Sequence, residues 1–354
     1  MNKRIRFQAI GDPHISKRHL SLSQEAITGT IKLLDKRPDV DIVVIMGDVL
    51  DRHDDIKLTF QRMAIDWIRK LVSIAEREKV ENKRDIVVAV LIGNHDRPSN
   101  QDCFSEIHPF MGIEDIPNRL YIVNKPKAVV VHGSKVLFMP YVPPGQLLRG
   151  FNEYLSAMHR SNKWRTIKSI NDFSLIFAHQ EFEGAPYGPI TSTKGDKWPL
   201  DYPTVVSGHI HTRMWLQNNI LYTGSLYPIT TTESNDKGVI CGEYDPDTRK
   251  IDFRTIRVVM SQKTIIKLSA KDTDGIREMV HLDRENTKYV VQGTANELAG
   301  VKSQVSGKDI NIAYDVRVVE PDGLKLHKSI DYDGIVRSKV LEPGVLSLLE
   351  EIMS

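Results

Sequence analysis

Cysteine is nearly absent from these 354 residues: only Cys103 and Cys241 occur, and neither sits in a C-x-x-C spacing. Two such thiols cannot form a disulfide framework or a thiolate metal site, so a reducing compartment is the expected setting. Long apolar runs are missing too. The longest, residues 86–92, has seven residues, where a membrane-spanning helix needs ~20. The opening MNKRIRFQAIGD is basic but turns polar before a signal-peptide core develops. Secretion and membrane insertion are both disfavoured, and a cytoplasmic protein is expected. Charge of one sign is lacking as well, since 48 Lys and Arg against 46 Asp and Glu leave +2. Any contact with a polyanion must therefore come from a local patch. Glycine-rich phosphate loops and nucleophile elbows are absent, which removes P-loop NTPases and serine hydrolases.

What is present is an ordinary globular composition, 40% hydrophobic and 27% charged, long enough for about two domains. Strand-length apolar runs at residues 5–10, 42–46, 86–92, 174–178 and 204–207 alternate with helical stretches, the pattern of a layered α/β fold. The residues that follow each run carry the chemistry. The first ends in Gly11-Asp12-Pro13-His14, the second in Gly47-Asp48-Val49-Leu50-Asp51-Arg52, and the third in Gly93-Asn94-His95-Asp96. The fourth ends in His179 and the fifth in Gly208-His209-Ile210-His211. Taken singly, each is an ordinary turn. Together they bring Asp, His and Asn to the strand ends where open α/β sheets hold ligands, which points to a metal site.

This ordered set, Asp12-x-His14, Gly47-Asp48-x-x-Asp51, Gly93-Asn94-His95-Asp96, His179 and Gly208-His209-x-His211, resembles the calcineurin-like metallophosphoesterases over residues 5–212. The resemblance implies an α/β protein: a layered β-sandwich flanked by helices, with a smaller α+β capping domain. On that pattern Asp12, His14, Asp48 and His211 hold a first metal, and Asp48, Asn94, His179 and His209 a second, with Asp48 as the bridge. Oxygen and imidazole donors without sulfur suit two divalent ions of the Mn²⁺ kind. Two such ions against two carboxylates leave a cationic pocket for a phosphate ester, where they would activate a water and clamp the phosphate. His95, beside Asn94 but outside the ligand set, is the expected general acid. Asp51 is expected to support its imidazolium, and Arg52 to hold a phosphate oxygen through its planar fork. The bland alternative is that Asp51 and Arg52 merely pair with each other.

A narrower resemblance follows. Tyr222-Thr223-Gly224-Ser225-Leu226, then Thr231-Thr232-Glu233 and Asp236-Lys237-Gly238, is similar to the segment closing the core of SbcD and meiotic-recombination type DNA nucleases; Asp201-Tyr202 agrees with it. Ser/Thr protein phosphatases fit less well, because Ile92 precedes Gly93 and Asp96 closes that motif. Asp51, where other relatives carry His, points to the bacterial or phage type, in which case the setting is a host cytoplasm.

The nuclease resemblance implies a nuclease domain at 1–260, a capping, DNA-guiding domain at 264–335, and a tail at 336–354 with a short amphipathic helix at 343–353. It also implies a DNA exonuclease or endonuclease of recombination and double-strand break repair. Its homodimer would form through helices at 56–75 and 101–111, and its tail would dock on a coiled-coil ATPase of the SbcC type. Within its own chain the stripe Phe60, Met63, Ala64, Trp67, Leu71 and Ile74 reads equally as an ordinary core face. The basic stretch at 149–168, with Arg149, His159, Arg160, Lys163, Trp164, Arg165 and Lys168, is a solvated helix face or, if it faces the metals, a set of phosphate contacts. Two further functions compete: a phosphodiesterase or phosphatase acting on a smaller ester, and a DNA-end-binding scaffold that carries the ATPase.

Overall fold

The apolar runs do not alternate with polar residues because the strands they form are covered on both faces. In the computed structural model, residues 3–51, 57–161, 164–187, 190–230, 233–261, 264–281, 287–306, 310 and 312–316 are described. The chain divides into two compact units, Met1–Ile266 with Asp283–Lys288, and Lys267–Leu282 with Tyr289–Ser354.

The first unit is built on two six-stranded sheets. In one, β1 (Ile5–Ile10), β2 (Ile42–Ile45), β3 (Val87–Leu91) and β4 (Leu120–Val123) run parallel. Two antiparallel strands, β13 (Val239–Asp245) and β14 (Lys250–Ile256), extend it beyond β1. In the other, β5 (Lys127–Val131), β6 (Ser134–Met139), β7 (Leu175–His179), β10 (Thr204–Gly208), β12 (Ile220–Tyr222) and β11 (Met214–Gln217) lie side by side in that order. The members β6, β7, β10 and β12 are parallel. A small hairpin, β8 (Pro186–Tyr187) and β9 (Ile190–Thr191), follows β7.

Register decides which side chains meet. Phe7 pairs with Ile42 and Ile42 with Val87, so these residues share the face that packs on Val136, Phe138, Leu175 and Phe177 of the second sheet. Their neighbours Val43, Ile45, Val88 and Val90 point the other way, onto α1 (Leu20–Lys36) and α2 (Leu58–Asn82). The outer face of the second sheet, with Leu137, Ile176 and Val205, is covered by Leu147, Phe151 and Leu155 of α3 (Leu147–Arg160). Each fully buried aliphatic or Phe side chain is worth about 1.5–3 kcal/mol. The result is the expected sandwich of sheets between helices. Because β1, β2 and β3 are parallel, and β7 and β10 likewise, their carboxyl ends gather the five motifs.

The stripe on α2 belongs to the core. Trp67 is 1% exposed and donates from Nε1 to Thr30 Oγ1 at 3.0 Å, and Leu71 and Ala64 are buried with it. Of the two readings left open for the stripe, Trp67 follows the ordinary one, a side chain in its own core. The helix runs past the expected end to Asn82, where Lys83 in a left-handed conformation (φ 56°) terminates it. Its amino-terminal end does present apolar surface at Leu58, 80% exposed, and Met111, in a turn outside the helix, is 63% exposed. Gln61 Nε2 donates to the Pro109 carbonyl at 2.6 Å, which ties that end to the 101–111 segment.

The second unit is built on a three-stranded sheet, ordered β15 (Thr264–Ser269), β16 (Thr287–Gly293), β17 (Ile312–Val316), with α4 (Thr273–His281) and α5 (Ala295–Val305). Thr294 caps α5 in a reciprocal box with Glu297. Arg52, the helix start at 56, Lys163, Thr231-Thr232, the boundary at Gln262-Lys263 and the tail at 336–354 lie outside the described residues.

Candidate metal centre

The turns after the strands are held against one another by backbone and carboxylate bonds. His14 N donates to Asp48 O and Ile15 N to Val49 O, each at 2.9 Å, so the first two motifs run side by side. Asp96, fully buried, accepts from Val49 N (3.1 Å), Leu50 N (3.0 Å) and Gly93 N (3.1 Å), clamping the second motif to the third. Three non-glycine residues here have positive φ: His14 at 43°, Asp48 at 48° and His209 at 79°. Such conformations cost on the order of 1–3 kcal/mol each and persist only where surrounding contacts impose them. At Gly93 a Cβ would collide with the Asp48 side chain, so this glycine is required for clearance.

The structure brings all seven expected ligands together in two groups. In the first, His14 Nε2 lies 3.0 Å from His211 Nε2 and 3.7 Å from Asp48 Oδ2, while Asp12 Oδ2 is 4.0 Å from His211 Nε2. In the second, Asn94 Oδ1 lies 3.1 Å from His179 Nε2 and 2.9 Å from His209 Nδ1, and Asp48 Oδ2 is 3.3 Å from His179 Nε2. Asp48 Oδ2 is common to both. Donor atoms on one ion at right angles, with bonds near 2.1 Å, sit roughly 3.0 Å apart, so these separations suit a pair of ions. Asp12 Oδ1, buried, has no hydrogen-bond partner, and His14 Nδ1 makes none of good geometry. Oxygen and nitrogen donors converging at such distances, with the buried Asp12 Oδ1 left without a proton donor, are what a cation satisfies. The residues present therefore fit two divalent ions.

The electrostatics agree. Burial alone would push the His179 imidazole down, but Asp48, Asp12 and the Met46 carbonyl outweigh it and raise its pKa to about 9. The surroundings thus favour a positive charge at its Nε2, the position a metal would occupy. Its Nδ1 lies 2.7 Å from Met46 O, which can only accept, so Nδ1 carries a proton.

His95 stands at the edge of the first group, its ring edge-on to His14 with centroids 4.9 Å apart. The expected support from the Asp51 carboxylate is replaced by a different contact. His95 Nδ1 meets the main-chain oxygen of Asp51 at 2.9 Å, whereas the carboxylate faces His14 Nδ1 at 3.4 Å. The cause is the turn itself, which points the carbonyl toward the third motif and the side chain toward the first. Asp51 is thereby a support for His14.

Sequence reasoning gave no role to several residues that complete the site. Glu181 Oε2 lies 3.7 Å from His209 Nε2, and Glu233 Oε1 lies 3.5 Å from His211 Nδ1. Burial would raise the Glu233 carboxyl, but hydrogen bonds from His211 and Lys237 hold it well below the usual carboxylate range. Glu233 and Lys237, four apart, were legible as a pair within the closing segment; Glu181 offered no signal beyond its place after His179. In the basic stretch, Arg160, Arg165 and Lys168 are exposed, while other members make local contacts. His159 Nε2 bonds the Ile167 carbonyl at 2.7 Å, Trp164 packs edge-on to Tyr154 and Phe173, and Arg149 pairs with Glu153 on the surface.

Residues 5–213 match the calcineurin-like phosphoesterase family. The chain belongs to that family. This phosphoesterase is 30% identical over 302 residues to "Putative phosphoesterase 078R" of Invertebrate iridescent virus 3, covering 85% of this chain and 80% of the relative. It is 32% identical over 280 residues to "Putative phosphoesterase 244L" of Invertebrate iridescent virus 6, covering 76% of this chain and 90% of the relative. Among solved structures, a glutamine-dependent NAD+ synthetase from Acinetobacter baumannii aligns at 9% identity with a TM-score of 0.34, over 89% of this chain and 65% of the other, and bears on neither fold nor function. Calcineurin-like phosphoesterases are metal-dependent hydrolases, and the clustered Asp, His and Asn side chains provide this one with a ligand set. Among the described residues, no helix is long and apolar enough to cross a membrane.

Proposed function

We propose that this phosphoesterase is a two-metal, Mn²⁺-dependent nuclease that hydrolyses DNA phosphodiesters by exo or endo cleavage in recombination and double-strand break repair. The observation that carries the reading is the use of the 222–238 segment, the part resembling DNA nucleases, to finish the metal site: Glu233 reaches His211, and Lys237 Nζ donates to the His211 carbonyl. Asp12, His14, Asp48 and His211 hold one ion, and Asp48, Asn94, His179 and His209 the other. Bound there, the ions supply an activated water and charge stabilisation for the phosphate. With Nδ1 committed to the Asp51 carbonyl, His95 presents Nε2 as the atom that gives a proton to the leaving sugar oxygen. Arg52 is proposed to hold a phosphate oxygen.

The second unit is proposed to guide DNA, and the tail to dock on an SbcC-type coiled-coil ATPase in the cytoplasm. The homodimer is proposed to form through the exposed end of α2 and the 101–111 segment, where Leu58 and Met111 lie. A second reading is hydrolysis of a smaller ester, which the names of the two viral relatives, given for phosphoester chemistry alone, accommodate as readily as the first. Pure protein is incubated with linear duplex DNA, single strands and p-nitrophenyl mono- and diesters, with Mn²⁺ or with chelator. Mn²⁺-dependent DNA cleavage is expected; turnover of small esters with no DNA cleavage under any divalent ion favours the second reading.

A further inference from the structure

The motif Gly208-His209-Ile210-His211 sends two imidazoles, two residues apart, to different places. His209 offers Nδ1 to the group containing Asn94 and His179, whereas His211 offers Nε2 to the group containing His14 and Asp12. The nitrogen left over differs as well: Nε2 in His209 and Nδ1 in His211. Nothing in the motif itself dictates this opposite use of two chemically identical rings. The backbone differs, since His209 alone of the two has a positive φ (79°), and so does the carboxylate behind each ring. Glu181, just past β7, approaches His209 Nε2 at 3.7 Å and accepts from the Ser192 hydroxyl. Glu233 approaches His211 Nδ1 at 3.5 Å and is fixed on its own side by Lys237 Nζ at 2.9 Å, Ile229 N at 3.2 Å and Ser225 Oγ at 3.3 Å. Lys237 is itself buried and also donates to the His211 carbonyl, so ring and main chain of His211 are held by one ion pair.

We propose that Glu181 and Glu233 are positioning residues that assign His209 and His211 to separate metals, each by fixing the ring nitrogen that faces its ion. An acceptor on the far nitrogen of a ligating histidine sets both tautomer and ring orientation, and its loss weakens metal binding about 10- to 100-fold. This inference rests on the two-metal reading of the site, and it makes that reading divisible: each glutamate acts on one ion only.

The test follows the two histidines separately in protein labelled with ¹⁵N-histidine and titrated with Zn²⁺, a diamagnetic probe. In Glu233→Gln, the His211 resonances are expected to need about 10- to 100-fold more Zn²⁺ to shift, while His209 responds as in wild type; in Glu181→Gln the pattern reverses. Before metal is added, the fraction of His211 carrying its proton on Nδ1 should fall in Glu233→Gln. Because that variant strips Lys237 of its anion, Glu233→Gln/Lys237→Gln is measured beside it, and Glu181→Gln, whose carboxylate leans on a serine hydroxyl, carries the same test independently. Wild-type titration curves in both glutamate variants, or equal weakening of both histidines in each, overturn the assignment and leave the two-metal reading standing. Wild-type protein whose His209 and His211 ignore Zn²⁺ overturns the two-metal reading and the assignment with it.

Discussion

His95 Nδ1 lies 2.9 Å from the main-chain oxygen of Asp51, while the Asp51 carboxylate lies 3.4 Å from His14 Nδ1. The same residue therefore orients the expected proton donor through its backbone and a metal ligand through its side chain. Asp51→Asn leaves the backbone contact in place but removes a carboxylate whose charge acts on His95 as well as on His14, so the limb of the kcat profile attributed to His95 is expected to move to lower pH. The variant should also bind metal more weakly, by about 10-fold or more. His95→Ala should keep both metals and lose most of kcat, on the order of 100-fold or more. Elemental analysis together with kcat measured from about pH 6 to about pH 9, where a perturbed imidazole titrates, separates the two variants.

Asp96 holds three main-chain N–H groups that no water can reach. Asp96→Ala leaves those donors without an acceptor at about 1–3 kcal/mol each. A loss of about 3 kcal/mol or more in urea unfolding is expected, with metal binding weakened because Asp48 and Asn94 sit in the clamped turns.

Trp67 fills the space between α1 and α2 and is bonded to Thr30. Trp67→Ala is expected to destabilise the protein by about 3–5 kcal/mol without changing the oligomeric state of what remains folded. Leu58→Glu with Met111→Glu, at exposed positions, should leave stability nearly unchanged and yield monomers in light scattering.

Asp196 is buried behind the site, accepting from Gln180 Nε2 at 2.6 Å and donating from its main chain to the Glu181 carbonyl at 2.9 Å. Burial raises its carboxyl to about 6, against hydrogen bonds from Leu147 N and Gln180 that favour the anion. A carboxyl that keeps its proton more tightly when folded contributes most stability below its unfolded value near 3.9. That contribution fades as pH rises through about 6, and a displacement of this size is worth roughly 3 kcal/mol in all. Unfolding free energies of wild type and Asp196→Asn, compared at about pH 4 and about pH 7 on either side of that window, should show the wild type losing ground to the variant as pH increases.

The strands and their carboxyl-end motifs were legible because both faces of each sheet are buried, which writes the strands as unbroken apolar runs and leaves polar residues only where the chain leaves the sheet. That Asp, His and Asn gather at these strand ends followed from that, whereas the ligand set Asp12, His14, Asp48, Asn94, His179, His209 and His211 and its division over two ions came from the family resemblance. The direction in which Asp51 points did not, because a single turn decides whether carbonyl or carboxylate meets His95. Glu181 was invisible for a related reason: its role depends on pairing between β7 and β10, which sets His179 opposite Gly208 and so brings His209 within reach. The fate of Trp67 was equally open, since an apolar helical stripe reads the same whether it meets its own core or a second chain.

If Asp48 serves two ions at once, its loss must empty both positions, which the metal content of Asp48→Ala reads directly after equilibration with Mn²⁺ and removal of free ion. About two Mn²⁺ per chain are expected in wild type and fewer than about one in the variant, because both ligand sets lose a member. Full metal content in Asp48→Ala would show that Asp48 is no bridge.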